Sequence, residues 1–266
     1  MKRNHIAALF FLVSLMAASC NKLTNGTPVE ELRPVGPFHI ISIYNNVNVK
    51  LVKSHQDNDC IKLTCPENLI EHVTTEISGD TLIIKNKNKL NWLRSFDYSI
   101  DMIVPFDSLR EINYASIGSL LCKDSIKGIK ARQIDTIFDD IDSTIISIDT
   151  LFPYTFSVNI NEGSGDIDLT LNCDVLNDKF GNGTSSVTFR GTASYSEHAT
   201  RSYGLIHAEE LCSNHVAIDS ESTNDVYVWA KTGLKAFLYN IGNVYYRGEP
   251  TITKKCHNRG NVYPIP

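Results

Sequence analysis

Gly165-Asp166-Ile167-Asp168-Leu169 opens a pattern that recurs as Ser185-Ser186-Val187-Thr188-Phe189, Gly204-Leu205-Ile206-His207-Ala208, Asn224-Asp225-Val226-Tyr227-Val228 and Gly242-Asn243-Val244-Tyr245-Tyr246. The spacing of roughly 20 residues is the mark of a repeat architecture. Each copy reads as a turn followed by a strand. Two mostly apolar positions, two residues apart, flank a residue that is usually polar, so one face of each strand points inward. Three short strands and three turns use about 20 residues per rung, and rungs stacked at ~4.8 Å pair each strand with its equivalents above and below. Ile167, Val187, Ile206, Val226 and Val244 then form one core row. The chain reads as an all-β solenoid.

Upstream, the pattern is also of short strands. Ile41, Ile43, Val47, Val49 and Leu51 alternate, and further segments follow at 61–64, 73–77, 81–85 and 98–104, separated by turn chemistry such as Asn45-Asn46 and Ser78-Gly79-Asp80. Helical periodicity is absent after the first 19 residues. Between Asp107 and Leu151 isoleucine-rich strands continue, including one over 134–148, but the repeat register blurs. At the other end, the tail from Glu249 to Pro266, with Pro250, Pro264 and Pro266, is expected to cap the stack, whose end strands would otherwise expose unpaired edges.

The chain has 266 residues, 42% of them hydrophobic, and a formal charge of −5. This is ordinary for a protein with a packed core. Lys2 and Arg3 precede an apolar run from Ile6 to Met16 and the small residues Ala17-Ala18-Ser19, a secretory signal pattern over 1–19. Its removal leaves 23 basic against 30 acidic residues, a charge of −7, so nucleic acid is not an expected partner. No later apolar run approaches the ~20 residues of a membrane-spanning helix.

Small residues directly before Cys20 resemble a lipoprotein lipobox, which implies that Cys20 carries lipid and anchors the chain to a membrane. An ordinary signal cleaved near Ala18 is the competing reading. Residues 20–36, rich in Asn, Thr, Gly, Pro and Glu, read as the lipidated N-terminus and a flexible tether, and 37–266 as the folded domain. Asn21 is not the aspartate that resemblance to lipoproteins associates with inner-membrane retention, and no acidic cluster resembles their surface-export signal, so the resemblance implies an outer-membrane address facing the periplasm.

Four motifs carry a family resemblance: Phe38 to Ile41, Gly79-Asp80-Thr81-Leu82-Ile83-Ile84, Gly163-Ser164-Gly165-Asp166-Ile167 and Tyr246-Arg247-Gly248-Glu249-Pro250. In this order they resemble the family called putative autotransporter adhesin, head GIN domain, found in Bacteroides-type lipoproteins, over Phe38 to about Val262. The resemblance implies a right-handed parallel β-helix. It transfers no site residues, and only one repeat keeps Gly-Ser-Gly-Asp.

No catalytic constellation stands out. Asp166, Asp168 and Asp225 are the carboxylates that a polysaccharide-active enzyme on this scaffold would use, but converging substrate contacts are missing. His198, His207 and His215 lack metal-ligand spacing and read as surface or turn residues. Glycine and aspartate at 163–166 resemble calcium repeats, but the aspartate is lost in most copies. The acidic cluster Asp139, Asp140 and Asp142 reads as solvated turn. Beyond Cys20 six cysteines remain, either buried thiols or in part disulfide-bonded; Cys60 and Cys65 would face opposite sides of one strand. Asp-Ser/Thr pairs such as Asp80-Thr81 and Asp124-Ser125 resemble O-glycosylation acceptors and equally suit polar turns.

These readings converge on a lipid-anchored cell-envelope protein that is no enzyme, needs no cofactor or metal, and binds carbohydrate or an envelope protein. A polysaccharide-active enzyme and a purely structural component are the alternatives. Tyr227, Trp229, Tyr239, Tyr245 and Tyr246 gather in the last rungs. Tyr227, Trp229 and Tyr245 are the expected ligand-binding residues, since aromatic side chains anchor interfaces and suit sugar rings.

Overall fold

The five repeat copies pair with one another in parallel. Ile167 lies opposite Val187, Val187 opposite Ile206, Ile206 opposite Val226 and Val226 opposite Val244, and all five side chains are buried. Steps of 18 to 20 residues therefore return the chain to the same place one strand further along. The structure, a computed structural model, describes residues 26–54, 60–88, 98–138 and 145–265. The signal segment, Cys20 and the Asp139, Asp140 and Asp142 cluster lie outside the described residues.

The fold is all-β. Its strands are β1 (Pro28–Pro34), β2 (Ile40–Asn45), β3 (Asn48–Lys53), β4 (Cys60–Pro66), β5 (Val73–Ser78), β6 (Thr81–Asn86), β7 (Asp101–Phe106), β8 (Glu111–Ser116), β9 (Leu120–Ile126), β10 (Ile129–Phe138), β11 (Ile145–Gly163), β12 (Ile167–Phe180), β13 (Val187–Thr200), β14 (Ile206–Ser220), β15 (Val226–Leu238), β16 (Val244–Arg247), β17 (Thr251–Cys256) and β18 (Val262–Pro264). One four-residue helix, α1 (Glu67–Ile70), follows β4.

Two ladders share the long strands β12 to β15. The first runs β1-β4-β7-β3-β9-β12-β13-β14-β15-β16-β18, a curled sheet of 11 strands. The second runs β5-β6-β2-β8-β11 and then through the other halves of β12 to β15 to β17. Alternation sends every second side chain into a single apolar core, which holds Leu169, Phe189, Ala208 and Val228 from the first ladder and Leu176, Phe180 and Ile218 from the second.

The corners explain the turn residues of the repeat. A Cβ on Gly204 would sit 2.0 Å from the Ser185 carbonyl oxygen, and one on Gly242 2.2 Å from that of Asn224. Successive turns approach so closely that no side chain fits. Buried hydroxyls satisfy the turn backbone: Ser202 Oγ accepts from Gly204 N at 3.2 Å, and Ser222 Oγ accepts from Asn224 N at 3.0 Å and donates to the Ser202 carbonyl at 2.7 Å. Buried N–H groups without such partners would be costly.

Several expectations are corrected. The tether does not extend to Gly36, because Pro28–Pro34 is β1, antiparallel to β4 from Pro28↔Pro66 to Pro34↔Cys60. Arg33 holds it there, donating to the Val73 and Ile70 carbonyls at 2.6 and 3.2 Å. Each central repeat is one long bent strand of 13 to 15 residues, not three short ones. The tail extends the stack through β17 and β18 instead of capping it, and Thr251 to Arg259 are exposed throughout. Lys254 spans the open end, donating to Asn261 Oδ1 at 2.6 Å. Its inward-side position, in register with buried Ala236, is a charge that discourages further strands. The segment 134–148 is no single strand: β10 and β11 pair antiparallel, with Phe138 opposite Ile145.

Candidate functional site

Alternation along β15 buries Val226 and Val228 and turns Tyr227 and Trp229 outward on the 11-strand sheet. Parallel register places His207 opposite Tyr227, Tyr227 opposite Tyr245, and Tyr245 opposite Tyr263. The four rings form a row. His207 and Tyr227 stack at 5.2 Å and 8°, Tyr227 and Tyr245 at 5.2 Å and 15°, and Tyr245 and Tyr263 are tilted at 5.8 Å and 31°. The strand spacing of ~4.8 Å brings identical outward positions to stacking distance. Beside the row, the Arg247 guanidinium lies 5.5 Å from the Trp229 ring, a cation–π contact.

The three residues expected to bind ligand, Tyr227, Trp229 and Tyr245, thus share one outer face. Tyr227 and Tyr245 have a ring on each side, so they offer edges and phenol hydroxyls outward. Partial burial, and then the neighbouring Asp225 carboxylate, push the Tyr227 phenol above its ordinary pKa, so it is a hydrogen-bond donor at neutral pH.

Charged residues adjoin the row. Lys123 Nζ meets Asp168 Oδ2 at 2.8 Å, Arg190 Nε donates to Asp168 Oδ1 at 3.0 Å, and Arg190 Nη1 donates to Glu210 Oε2. Partial burial raises the Asp168 carboxyl, but the bonds from Lys123 and Arg190 outweigh it and hold the group below its usual range. A cleft of about 470 Å³ opens between Asp168 and His207. Sequence reading missed Glu209 and Glu210, which project where β14 slips register between Ala208 and Cys212. The second ladder's outer face is polar: Asn159 Nδ2 donates to Asn113 Oδ1 at 3.1 Å, and Lys179, Ala199 and Asp219 continue that row.

Of the three candidate carboxylates, Asp166 and Asp168 line one cleft, but Asp225 does not join them. Asp166 and Asp225 stand three strands apart, roughly 14 Å at sheet spacing, beyond the ~5–9.5 Å of paired glycosidase carboxylates. Asp225 Oδ1 accepts from Asn243 N at 2.7 Å and is a turn residue. Among the described residues no group of three or more His, Cys, Asp or Glu could hold a metal ion. His198 is not a surface residue: it is fully buried against Asp178. Asp80, in the turn before β6, pairs with His39 at 2.6 Å, and Asp124, within β9, accepts from Lys53 N at the end of β3 at 2.7 Å. Cys65, Cys122 and Cys173 are buried, while Cys60 and Cys256 are exposed. Cys60 and Cys65 do face opposite sides of β4.

Residues 37–250 match the family described as putative auto-transporter adhesin, head GIN domain. The chain belongs to this family. Among solved structures, a putative adhesin from Bacteroides fragilis is similar at TM-score 0.71 and 18% identity, covering 91% of this chain and 99% of that one. A putative adhesin from Parabacteroides distasonis is similar at TM-score 0.60 and 16% identity, covering 91% and 99%. A putative lipid binding protein from the same organism gives TM-score 0.63 and 18% identity, covering 91% and 98%. Identities this low show a shared fold. No curated protein matches the sequence. The head GIN domain here therefore carries its row of aromatic side chains on a fold shared with structures named as adhesins and as a lipid binding protein.

Proposed function

We propose that this protein is a lipid-anchored, non-enzymatic binding module of the cell envelope, held at the outer membrane through Cys20 and facing the periplasm, with carbohydrate or protein as its ligand. The observation that carries this reading is the row His207, Tyr227, Tyr245 and Tyr263 on one outer sheet face. A row of ring edges and hydroxyls at ~5 Å intervals suits an extended ligand lying across the strands, with Trp229 as a flanking anchor. The adhesin names of the family and of the similar structures support it. Parallel pairing at 18 to 20 residue steps supports reading the two ladders as walls of a right-handed parallel β-helix. Residues held in a continuous hydrogen-bonded ladder are already positioned, which spares a ligand the cost of ordering its site.

The test is the triple variant Tyr227→Ser, Trp229→Ala, Tyr245→Ser, compared with wild type on a glycan array and in capture of partners from envelope extracts. The variant should fold and lose binding. Undiminished binding would remove this face from consideration.

A further inference from the structure

The two ladders end differently. In the turn after β18 the Ile265 N–H donates to the Tyr246 carbonyl, so alternation points the backbone of Val262 and Pro264 away from β16. Neither offers a free donor there. The Val262 N–H donates to Asn261 Oδ1 at 2.9 Å, and proline has no N–H to give. β17 lacks such protection. His257 N–H donates to the Leu238 carbonyl at 2.8 Å, which sets the phase: Thr251, Thr253 and Lys255 bond toward β15, while Ile252, Lys254 and Cys256 direct their N–H and carbonyl groups the other way. Among the described residues β17 pairs with β15 alone, and all six of its residues are exposed. The second ladder thus ends on an edge with backbone groups set to receive another strand.

Charge selects the strand. Residues 231–266 carry Lys231, Lys235, Arg247, Lys254, Lys255 and Arg259 against Glu249 alone, whereas residues 20–230 carry 17 basic against 29 acidic residues. The last strands are therefore a basic region on an acidic chain. Two of those cations sit on β17 itself, on its opposite faces: Lys254 is in register with buried Ala236, and Lys255 with Phe237. Lysine at an edge turns away an apolar strand. Carboxylates on the incoming strand would convert the same charges into attraction on both faces.

We infer that the free edge of β17 is a docking site for an extended acidic segment of a partner protein, which adds as a further strand through the backbone of Ile252, Lys254 and Cys256 and places carboxylates beside Lys254 and Lys255. This surface is distinct from the aromatic row, and the assignment does not depend on the function proposed above.

The experiment titrates a six-residue peptide, blocked at both ends and carrying two central glutamates between valine and threonine, into the folded chain, followed by amide NMR and hydrogen exchange. Wild type should show shifts and slowed exchange at the Ile252, Lys254 and Cys256 amides, with affinity falling as salt rises. The same peptide with lysines in place of the glutamates should bind at least tenfold more weakly, as should one N-methylated at alternate residues. Lys254→Gln keeps the N–H and removes the charge, so it should weaken binding severalfold. Lys254→Pro removes both at an edge position that accepts proline, and should weaken binding at least tenfold; should that variant fail to fold, the N-methylated peptide still tests the backbone contact. Undiminished binding of the N-methylated peptide, binding of polygalacturonate but not of the peptide, loss of peptide binding in the triple variant with shifts confined to the aromatic row, or no binding of the peptide would each overturn the proposal.

Discussion

The Asp178 carboxylate lies 2.5 Å from the His198 imidazole, and both side chains are completely buried. They face each other in register on β12 and β13, in an inward row that otherwise reads Val158 before them and Ile218 and Ala236 after. No hydrogen bond from any other described residue reaches either side chain. A buried pair of this kind is costly to break and cheap to replace, because removing one partner strands the other in a medium that cannot solvate it. His198→Ala or Asp178→Ala alone should therefore cost about 3–5 kcal/mol, whereas Asp178→Leu with His198→Phe should be neutral or stabilising. Urea unfolding of the three variants checks this, and a double variant weaker than both singles would count against it.

The same pair makes a pH prediction. Burial pushes the Asp178 carboxyl up, opposed in part by His198. A carboxyl raised in the folded state holds its proton more tightly there than in the unfolded chain. Its contribution to stability is full below the unfolded value of about 3.9 and is lost as pH rises through the native value. His198→Phe removes the group that lowers Asp178, so this variant should lose stability more steeply than wild type as pH climbs from about 4 toward neutrality. The Asp178→Leu, His198→Phe double should lack that slope. Unfolding midpoints along a pH series would reveal parallel curves if the pair does not titrate this way.

Much of the first ladder was legible because β alternation and a nearly constant repeat length are properties of sequence alone. Ile167 to Val244 align by counting. The Asp178–His198 pair also sat one repeat apart, but polar residues at inward positions break the pattern by which inward positions are recognised. β1 was hidden for a different reason. Pro28, Glu30, Glu31 and Pro34 have the composition of a loop, and the segment is a strand because β4 and the Arg33 bonds to the Val73 and Ile70 carbonyls hold it. The aromatic residues of the last repeats could be read, but not that stacking would use their faces, which depends on side-chain torsions and strand twist.

Val226 reports on the alignment of the first ladder. It lies between Ile206 and Val244 and is buried, so Val226→Asp would bury a carboxylate without a partner. The expected loss exceeds about 3 kcal/mol. A change within ~0.5 kcal/mol, typical of surface sites, would show that the position is not interior.

Tyr245 has ring neighbours on both sides and Tyr263 on one. Each aromatic pair adds about 0.5–1.5 kcal/mol beyond buried area. Tyr245→Ala should thus cost more than Tyr263→Ala, by roughly one pair, in chemical denaturation. Equal losses would mean that stacking along the row contributes nothing to stability.

The thiols should divide by burial. Burial pushes Cys65 up to about 11, and Cys122 and Cys173 each up to about 12, so at pH 8 they hold almost no thiolate, the reactive form. Cys256 is exposed on the last long strand. A disulfide reagent should label Cys256 in the folded protein and reach Cys65, Cys122 and Cys173 only on unfolding. Rapid native labelling at any of those three would contradict the packing around it.

The anchor prediction changes once β1 is placed. Eight peptide units join Cys20 to Pro28, where β1 begins, and even fully extended they span no more than ~29 Å. A lipid on Cys20 would therefore hold β1 close to the bilayer. The 11-strand ladder begins at β1 and ends at β18, so ten strand steps, a path of ~48 Å along the curled sheet at sheet spacing, lead from β1 to Tyr263. The aromatic row lies near the far end of that ladder, where a partner would meet it first if the ladder stands away from the membrane. Cells fed labelled fatty acid should incorporate label into wild type, while Cys20→Ser should accumulate as unprocessed, unlabelled precursor. Unlabelled wild-type protein would eliminate the anchor and, with it, this orientation.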